Sequence, residues 1–255
     1  MKKLFLLLMF FLLWPQPAKA VVNDEGRVNT FFAAGRAAYT QGNYAQAIQA
    51  YENILAAGRA SGPVYYNLAN AYFRHGQLGR AILNYQRAAR LMPRDKDLKF
   101  NFKYARTQVR APAAGEIHPL LKIYQRFRDD YTPAELAGAA IALLGIMFGV
   151  HLFLLYSGQS LRRYGAGFAA GLFVLALLCF TFFNKTAMLS SAAVVLNEGK
   201  ALFEPRDSAT AHFTVYPGET VRFVDAQGAW AKIQRADDNL GWVNESLVAK
   251  VGDRE

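Results

Sequence analysis

Two long apolar runs separated by seven residues constrain this chain more than any other feature. Residues 134–156 and 164–183 carry no Asp, Glu, Lys or Arg beyond Glu135, and SGQSLRR joins them. At about 1.5 Å per helical residue, each run can cross a hydrocarbon core of about 30 Å. So short a connection leaves only an antiparallel hairpin. Gly138, Ala142 and Gly145 on the first run, and Gly167 and Gly171 on the second, are small enough to let two helices approach. His151 lies near the end of the first run with no second ionisable residue deep in either, which suits a packed or interfacial histidine better than a proton relay.

The chain opens with Lys2 and Lys3, an apolar stretch LFLLLMFFLLW, and PQPAKA. That pattern reads as a secretory signal peptide, residues 1–20, cleaved after Ala20; an uncleaved anchor is the alternative, and both send the segment after Ala20 out of the cytoplasm. An exported N-terminus places Arg162 and Arg163 in the cytoplasm and returns residue 185 onward to the outside, on the extracytoplasmic face. The formal charge is +10, and the leader's three lysines leave +7. Such a product is drawn to anionic surfaces or acidic partners. Nucleic acid is not expected without a dense Lys/Arg run. Cys179, the single cysteine, has no intrachain partner and reads as a small buried hydrophobe.

Residues 23–110 have helical periodicity with a 34-residue repeat. In GPVYYNLANAYFRHGQLGRAILNYQRAARLMPRD (62–95), small Ala69 and Ala81 allow close helix approach, Tyr72 and Tyr85 fill wider gaps, Gly76 sits in a turn, and Pro93 stops the second helix. One period earlier, residues 28–61 repeat the pattern with Phe31, Gly35, Gly42, Ala47 and Tyr51. Ala38 stands there at an aromatic position, with Tyr39 next to it. One period later, residues 96–109 supply a single amphipathic cap helix. Two repeats and a cap bury little by themselves, so this domain is expected to lean on a partner, a second copy or the membrane.

The unit at 62–95 resembles the tetratricopeptide (TPR) family. The resemblance implies a concave peptide-binding groove lined by Phe32, Arg36 and Tyr39 from the first repeat and by Tyr66, Asn67, Asn70, Phe73 and Arg74 from the second. Aromatics, amides and arginines suit a peptide whose backbone and acidic groups need donors. Packing of Tyr66 and Phe73 against the cap helix is the competing account. The full basic set of a carboxylate clamp is absent, so EEVD-like C-terminal ligands are not supported.

Residues 111–133 begin as a Pro/Gly/Ala linker and continue as LLKIYQRFRDDY, with Leu120, Leu121, Tyr124 and Phe127 on one face. An interfacial helix leading into a membrane has this look, as does a plain amphipathic helix. In 188–252 the periodicity turns to alternation. AAVVL, TVRFVD, AWAKIQR and LGWVN are β-rich runs broken by turn compositions, which suggests a small β-barrel. Pro217-Gly218-Glu219, then Gly228-Ala229-Trp230-Ala231-Lys232-Ile233, then Gly241-Trp242-Val243 resemble the bacterial SH3 (SH3b) domain. Trp230 and Trp242 are either a peptide or glycan surface or core and rim residues.

The chain has no Walker A, HExxH, CxxC or G-x-S-x-G motif, and His75, His118, His151 and His212 are scattered. No cofactor, metal or enzymatic role is expected. The fold class is therefore multidomain: all-α TPR hairpins, a two-helix transmembrane hairpin and a small all-β SH3-like barrel. That order resembles the BatE family of bacterial aerotolerance (Bat) operons. The resemblance implies a scaffold partnered with von Willebrand A-type proteins and, indirectly, a MoxR-type ATPase, serving oxidative or envelope stress. Peptidoglycan binding through the SH3b domain is the alternative.

Overall fold

The computed structural model describes residues 24–112, 118–156 and 165–252. The leader and the loop arginines Arg162 and Arg163 lie outside the described residues. Five helices form the N-terminal layer: α1 (Asp24–Thr40), α2 (Tyr44–Ala56), α3 (Gly62–Arg74), α4 (Leu78–Leu91) and α5 (Lys96–Thr107). The residue types that set the repeat also set the packing. Ala47, Leu68, Ala69, Ala81 and Ala88 are fully buried, with Tyr51, Tyr72 and Tyr85 filling the space around them. A Cβ on Gly35 would come within 2.7 Å of the Tyr51 ring, so that position stays small. The turns at Gly42 and Gly76 have φ of 79° and 82°, where a side chain costs energy. Asp95 caps α5 by accepting from the Leu98 amide at 2.7 Å.

Helix α6 (Pro119–Asp130) precedes α7 (Pro133–Tyr156) and α8 (Gly165–Ser191). Thr132 and Glu135 form a reciprocal cap at the start of α7. The Thr132 amide donates to Glu135 Oε2 at 2.8 Å, and the Glu135 amide to Thr132 Oγ1 at 3.2 Å. The one acid of the first apolar run is thus a helix cap. Both α7 and α8 are long and apolar enough to cross a membrane, and only 11% and 6% of their most apolar windows are buried. The helix α8 continues past the apolar run, and Lys185 is buried there, donating from Nζ to the carbonyls of Arg128, at 2.7 Å, and of Tyr131. Of the expected close-approach glycines only Gly171 meets the partner helix, at Met147. Gly138, Gly145 and Gly167 face open space, which corrects that reading.

Seven antiparallel strands complete the described chain: β1 (Ala192–Val195), β2 (Gly199–Leu202), β3 (Ala211–Val215), β4 (Thr220–Gln227), β5 (Trp230–Gln234), β6 (Leu240–Asn244) and β7 (Val248–Lys250), in the order β3-β2-β6-β5-β4-β1-β7. Strand β1 begins directly where α8 ends. Val195, Ala201, Val215, Ala231, Ile233 and Val243 make the inner face. Four of these strands match the β-rich runs of the sequence. The other three, β2, β3 and β7, are three to five residues long and carry no alternation strong enough to stand out.

The sheet packs on the outer side of α4. Val194, Val251 and Leu196 join the helical core rather than the inner face of the sheet. Gln86 Nε2 donates to Thr220 Oγ1 at 2.6 Å, and Arg90 Nη1 to the Val251 carbonyl at 2.9 Å. A Cβ on Gly79 would lie 2.3 Å from the Leu196 carbonyl oxygen. The short repeat array therefore leans on its own C-terminal domain.

Glu219 is 2% exposed at this junction, and neither carboxyl oxygen meets a donor at hydrogen-bonding geometry. Burial pushes its pKa above the usual carboxylate range, while the Tyr216 amide and Arg235 oppose more weakly. A folded pKa above the unfolded one means a contribution that is complete below the unfolded value and lost as pH rises through the folded one. Denaturant midpoints of the detergent-solubilised chain should therefore rise as pH falls from 7 towards 5. Glu219→Gln should raise the midpoint at pH 7 and flatten that slope; an unchanged slope would show that Glu219 does not contribute to it.

Candidate functional site

The groove residues nominated by sequence lie on α1 and α3. On α1, Phe32 sets its ring edge-on to Tyr51 at 5.8 Å, and Tyr39 does the same to Tyr44 at 5.4 Å. Arg74, from the end of α3, lies over the Tyr44 ring at 5.4 Å. Arg36 and Arg74 are both exposed, so this end of the face combines open cations with half-buried aromatics. Burial raises the Tyr39 pKa, with Arg74 opposing, and burial raises that of Tyr51 to about 12, with Arg36 opposing. These phenols stay neutral near pH 7.

The α3 residues divide by role. Asn70 Oδ1 accepts from the Tyr85 hydroxyl at 2.5 Å and from Asn101 Nδ2 at 3.2 Å, and Asn101 also donates to the Tyr66 hydroxyl at 2.8 Å. Phe73 meets Tyr104 edge-on at 5.8 Å. Tyr66, Asn70 and Phe73 thus tie α3 to the cap helix α5. Asn67 donates to the Pro63 carbonyl at 2.9 Å, one turn back on its own helix. Asn70 is a structural acceptor, since removing it would strand a buried hydroxyl.

Two exposed aromatics lie outside the nominated set. Phe100 is 72% exposed and Tyr104 is 56% exposed, both on α5. They stand one 34-residue period after Tyr66 and Asn70, so the repeat register carried into the cap helix is the signal that finds them.

The second candidate surface is the outer face of the sheet. Ala231, Ile233 and Val243 point inwards, so Trp230, Lys232 and Trp242 point outwards. Trp242 pairs with Lys232, whose Nζ lies over the indole ring at 5.6 Å, and Trp230 pairs with Asn244. The two tryptophans are diagonal neighbours on adjacent strands. Both are half-buried, and neither belongs to the inner core. No group of three His, Cys, Asp or Glu suited to a metal occurs among the described residues.

Residues 62–95 match the tetratricopeptide repeat family model, and residues 203–249 match that of the bacterial SH3 domain. Both matches fall on the units just described, α3–α4 and the greater part of the sheet. No curated protein matches the chain. The matched modules support a binding or adaptor role.

Proposed function

We propose that this protein is a non-enzymatic adaptor, anchored in the bacterial inner membrane by α7 and α8, that recruits a protein partner through the concave face of its repeats. The observation that carries this reading is the exposure of Phe100 and Tyr104 on α5, with Tyr104 lying edge-on against Phe73, the chain neighbour of the exposed Arg74. Exposed aromatics offer apolar anchorage, and the guanidinium groups of Arg36 and Arg74 select acidic side chains. The partner segment is thus acidic, with apolar anchors. On the BatE-like resemblance, partners of this kind are von Willebrand A-type Bat proteins, with a MoxR-type ATPase further removed, and the repeats and the SH3b domain face the periplasm in an assembly linked to oxidative or envelope stress. Crosslinking in membranes followed by detergent co-purification tests the groove. A partner recovered with the wild-type chain and lost from Arg36→Glu/Arg74→Glu/Phe100→Ala supports it; equal recovery sinks it.

A second reading, cell-wall binding through the SH3b domain, is favoured by the outward Trp230, Lys232 and Trp242. Flat indoles side by side give a stacking platform for sugars or stem peptides. Co-sedimentation of the full-length solubilised protein with purified sacculi should then fall at least tenfold in Trp230→Ala/Trp242→Ala. Equal sedimentation of the two proteins removes this reading.

A further inference from the structure

The end of α6 is tied to the end of α8. Lys185 Nζ donates to the Arg128 carbonyl at 2.7 Å and to the Tyr131 carbonyl. The Thr132 amide, four residues after Arg128, donates to Glu135 Oε2 instead, so the lysine takes the place of the missing helical donor. Arg128 pairs with Asp129 at 2.9 Å. The corner between α6 and α7 thus meets its polar groups internally, as a backbone away from water must. Further back on α6, the Tyr124 ring lies 6.4 Å from the Phe180 ring of α8. Phe180 stands seven residues before Ala187, the end of the second apolar span, a rise of about 10 Å. The contacts at Tyr124 and at Arg128 and Tyr131 therefore lay α6 along the last turns of that span.

The other apolar side chains of α6 are open. Leu120, Ile123 and Phe127 follow one another at i, i+3 and i+7, a single stripe, and are 69%, 65% and 41% exposed. Lys122 and Arg126, at i and i+4, form a separate exposed stripe. Phe180 and Phe183 of α8 are exposed at the level where α6 meets that helix. Whatever surrounds those rings also surrounds the apolar stripe. We propose that α6 is inserted into one leaflet of the bilayer beside the end of α8, its Leu120, Ile123 and Phe127 stripe among the acyl chains and Lys122 and Arg126 towards the headgroups. The inference rests on the reading of α7 and α8 as spanning a membrane, and adds a third membrane-embedded helix to it. The apolar face of an amphipathic helix sinks about 5–10 Å into the boundary between headgroups and acyl chains, which is the level of the Tyr124–Phe180 contact. An inserted α6 also anchors what is tied to its end. Lys99 Nζ on α5 lies 2.6 Å from Asp130 Oδ1, so the cap helix is held near the headgroup layer.

The test places one nitroxide label at a time on the full-length protein, in a Cys179→Ser background, reconstituted into phosphatidylcholine–phosphatidylglycerol vesicles. Collision with oxygen, which enters hydrocarbon, is compared with collision with a water-soluble nickel chelate. Every labelled site is exposed, so the label displaces no packed side chain. The oxygen-to-nickel ratio at Leu120→Cys, Ile123→Cys and Phe127→Cys should exceed that at Lys200→Cys on the sheet about tenfold, the scale on which hydrocarbon excludes a polar solute. Lys122→Cys and Arg126→Cys should stay close to the Lys200→Cys value. Leu144→Cys, at the middle of α7, reports on the premise. A Leu144→Cys label in hydrocarbon with the α6 stripe reading as water overturns the insertion alone. A stripe shielded from both colliders is covered by protein, and overturns it too. Equal ratios on the two α6 stripes overturn the placement at the leaflet boundary. A Leu144→Cys label that collides freely with nickel overturns the membrane reading itself.

Discussion

Replacing Gly79 by valine is expected to destabilise the full-length protein by about 3 kcal/mol and to release the sheet from the repeats. Gly79 lies in the first turn of α4, and a Cβ there would meet the Leu196 and Val195 carbonyl oxygens at 2.3 and 2.6 Å. Those atoms belong to the end of β1 and the residue after it. Their backbone is held by hydrogen bonds of Val195 to Glu219 and of Leu196 to Leu247, so it cannot retreat without breaking the sheet. The clash must be relieved by parting the two domains, which also costs the contacts of Val194, Val251 and Leu196 with the helical core. A loss of about 3 kcal/mol raises the open population about a hundredfold. Limited trypsin digestion in detergent reads that population directly through cleavage after Arg235 and Lys250. Gly26→Ala is the control, because nothing lies within 4 Å of a Cβ at that site. If Gly79→Val resists trypsin as the wild type does, the docked arrangement is wrong.

This junction was the least legible part of the chain. The repeat packing could be read because one period fixes which residues must be small: Ala69 and Ala81 recur at spacings that only helix–helix contact explains. The β-rich runs were legible where both faces speak, as in β5, with Trp, Lys and Gln outside and Ala and Ile inside. By contrast, Leu83, Asn84 and Arg87 look like residues on the solvated side of α4, and all three are buried. The segment that covers them lies more than a hundred residues later, and no local pattern encodes that. The end of α8 was hidden for a related reason. NKTAMLSS reads as a polar exit from an apolar run, yet the helix persists because two carbonyls at the end of α6 receive the Lys185 ammonium. A cation buried at a helix C-terminus is stabilised by the carbonyls and dipole that it meets there.

The nominated groove residues differ in what they do in the fold, and the difference matters for the test of the proposed groove. Changing Asn67, Asn70 and Arg74 together confounds two effects, because Asn70 is the acceptor for the buried Tyr85 hydroxyl and for Asn101. Asn70→Ala alone should lower stability by about 1–3 kcal/mol, the cost of leaving a buried donor unmet. Any loss of partner capture in that variant would then reflect a loosened α3–α5 contact. Phe100→Ala separates the two effects. Its ring is 72% exposed, so folding stability should change by less than about 0.5 kcal/mol. If it anchors the partner, the loss of affinity should be about thirtyfold, the scale of a buried aromatic at the centre of an interface. Reversing charge at Arg36 and Arg74 should add to this and invert the salt dependence, so that added salt strengthens the residual binding, because the introduced carboxylates repel the acidic side chains of the partner. Quantitative crosslinking yields across a salt series, with thermal melts of each variant beside them, give both readouts. A Phe100→Ala protein that captures its partner at wild-type yield while Asn70→Ala does not would locate the binding surface away from the concave face. The repeats would then serve as a platform for the docked sheet, and the aromatic face of Trp230 and Trp242 would become the surface that meets the ligand.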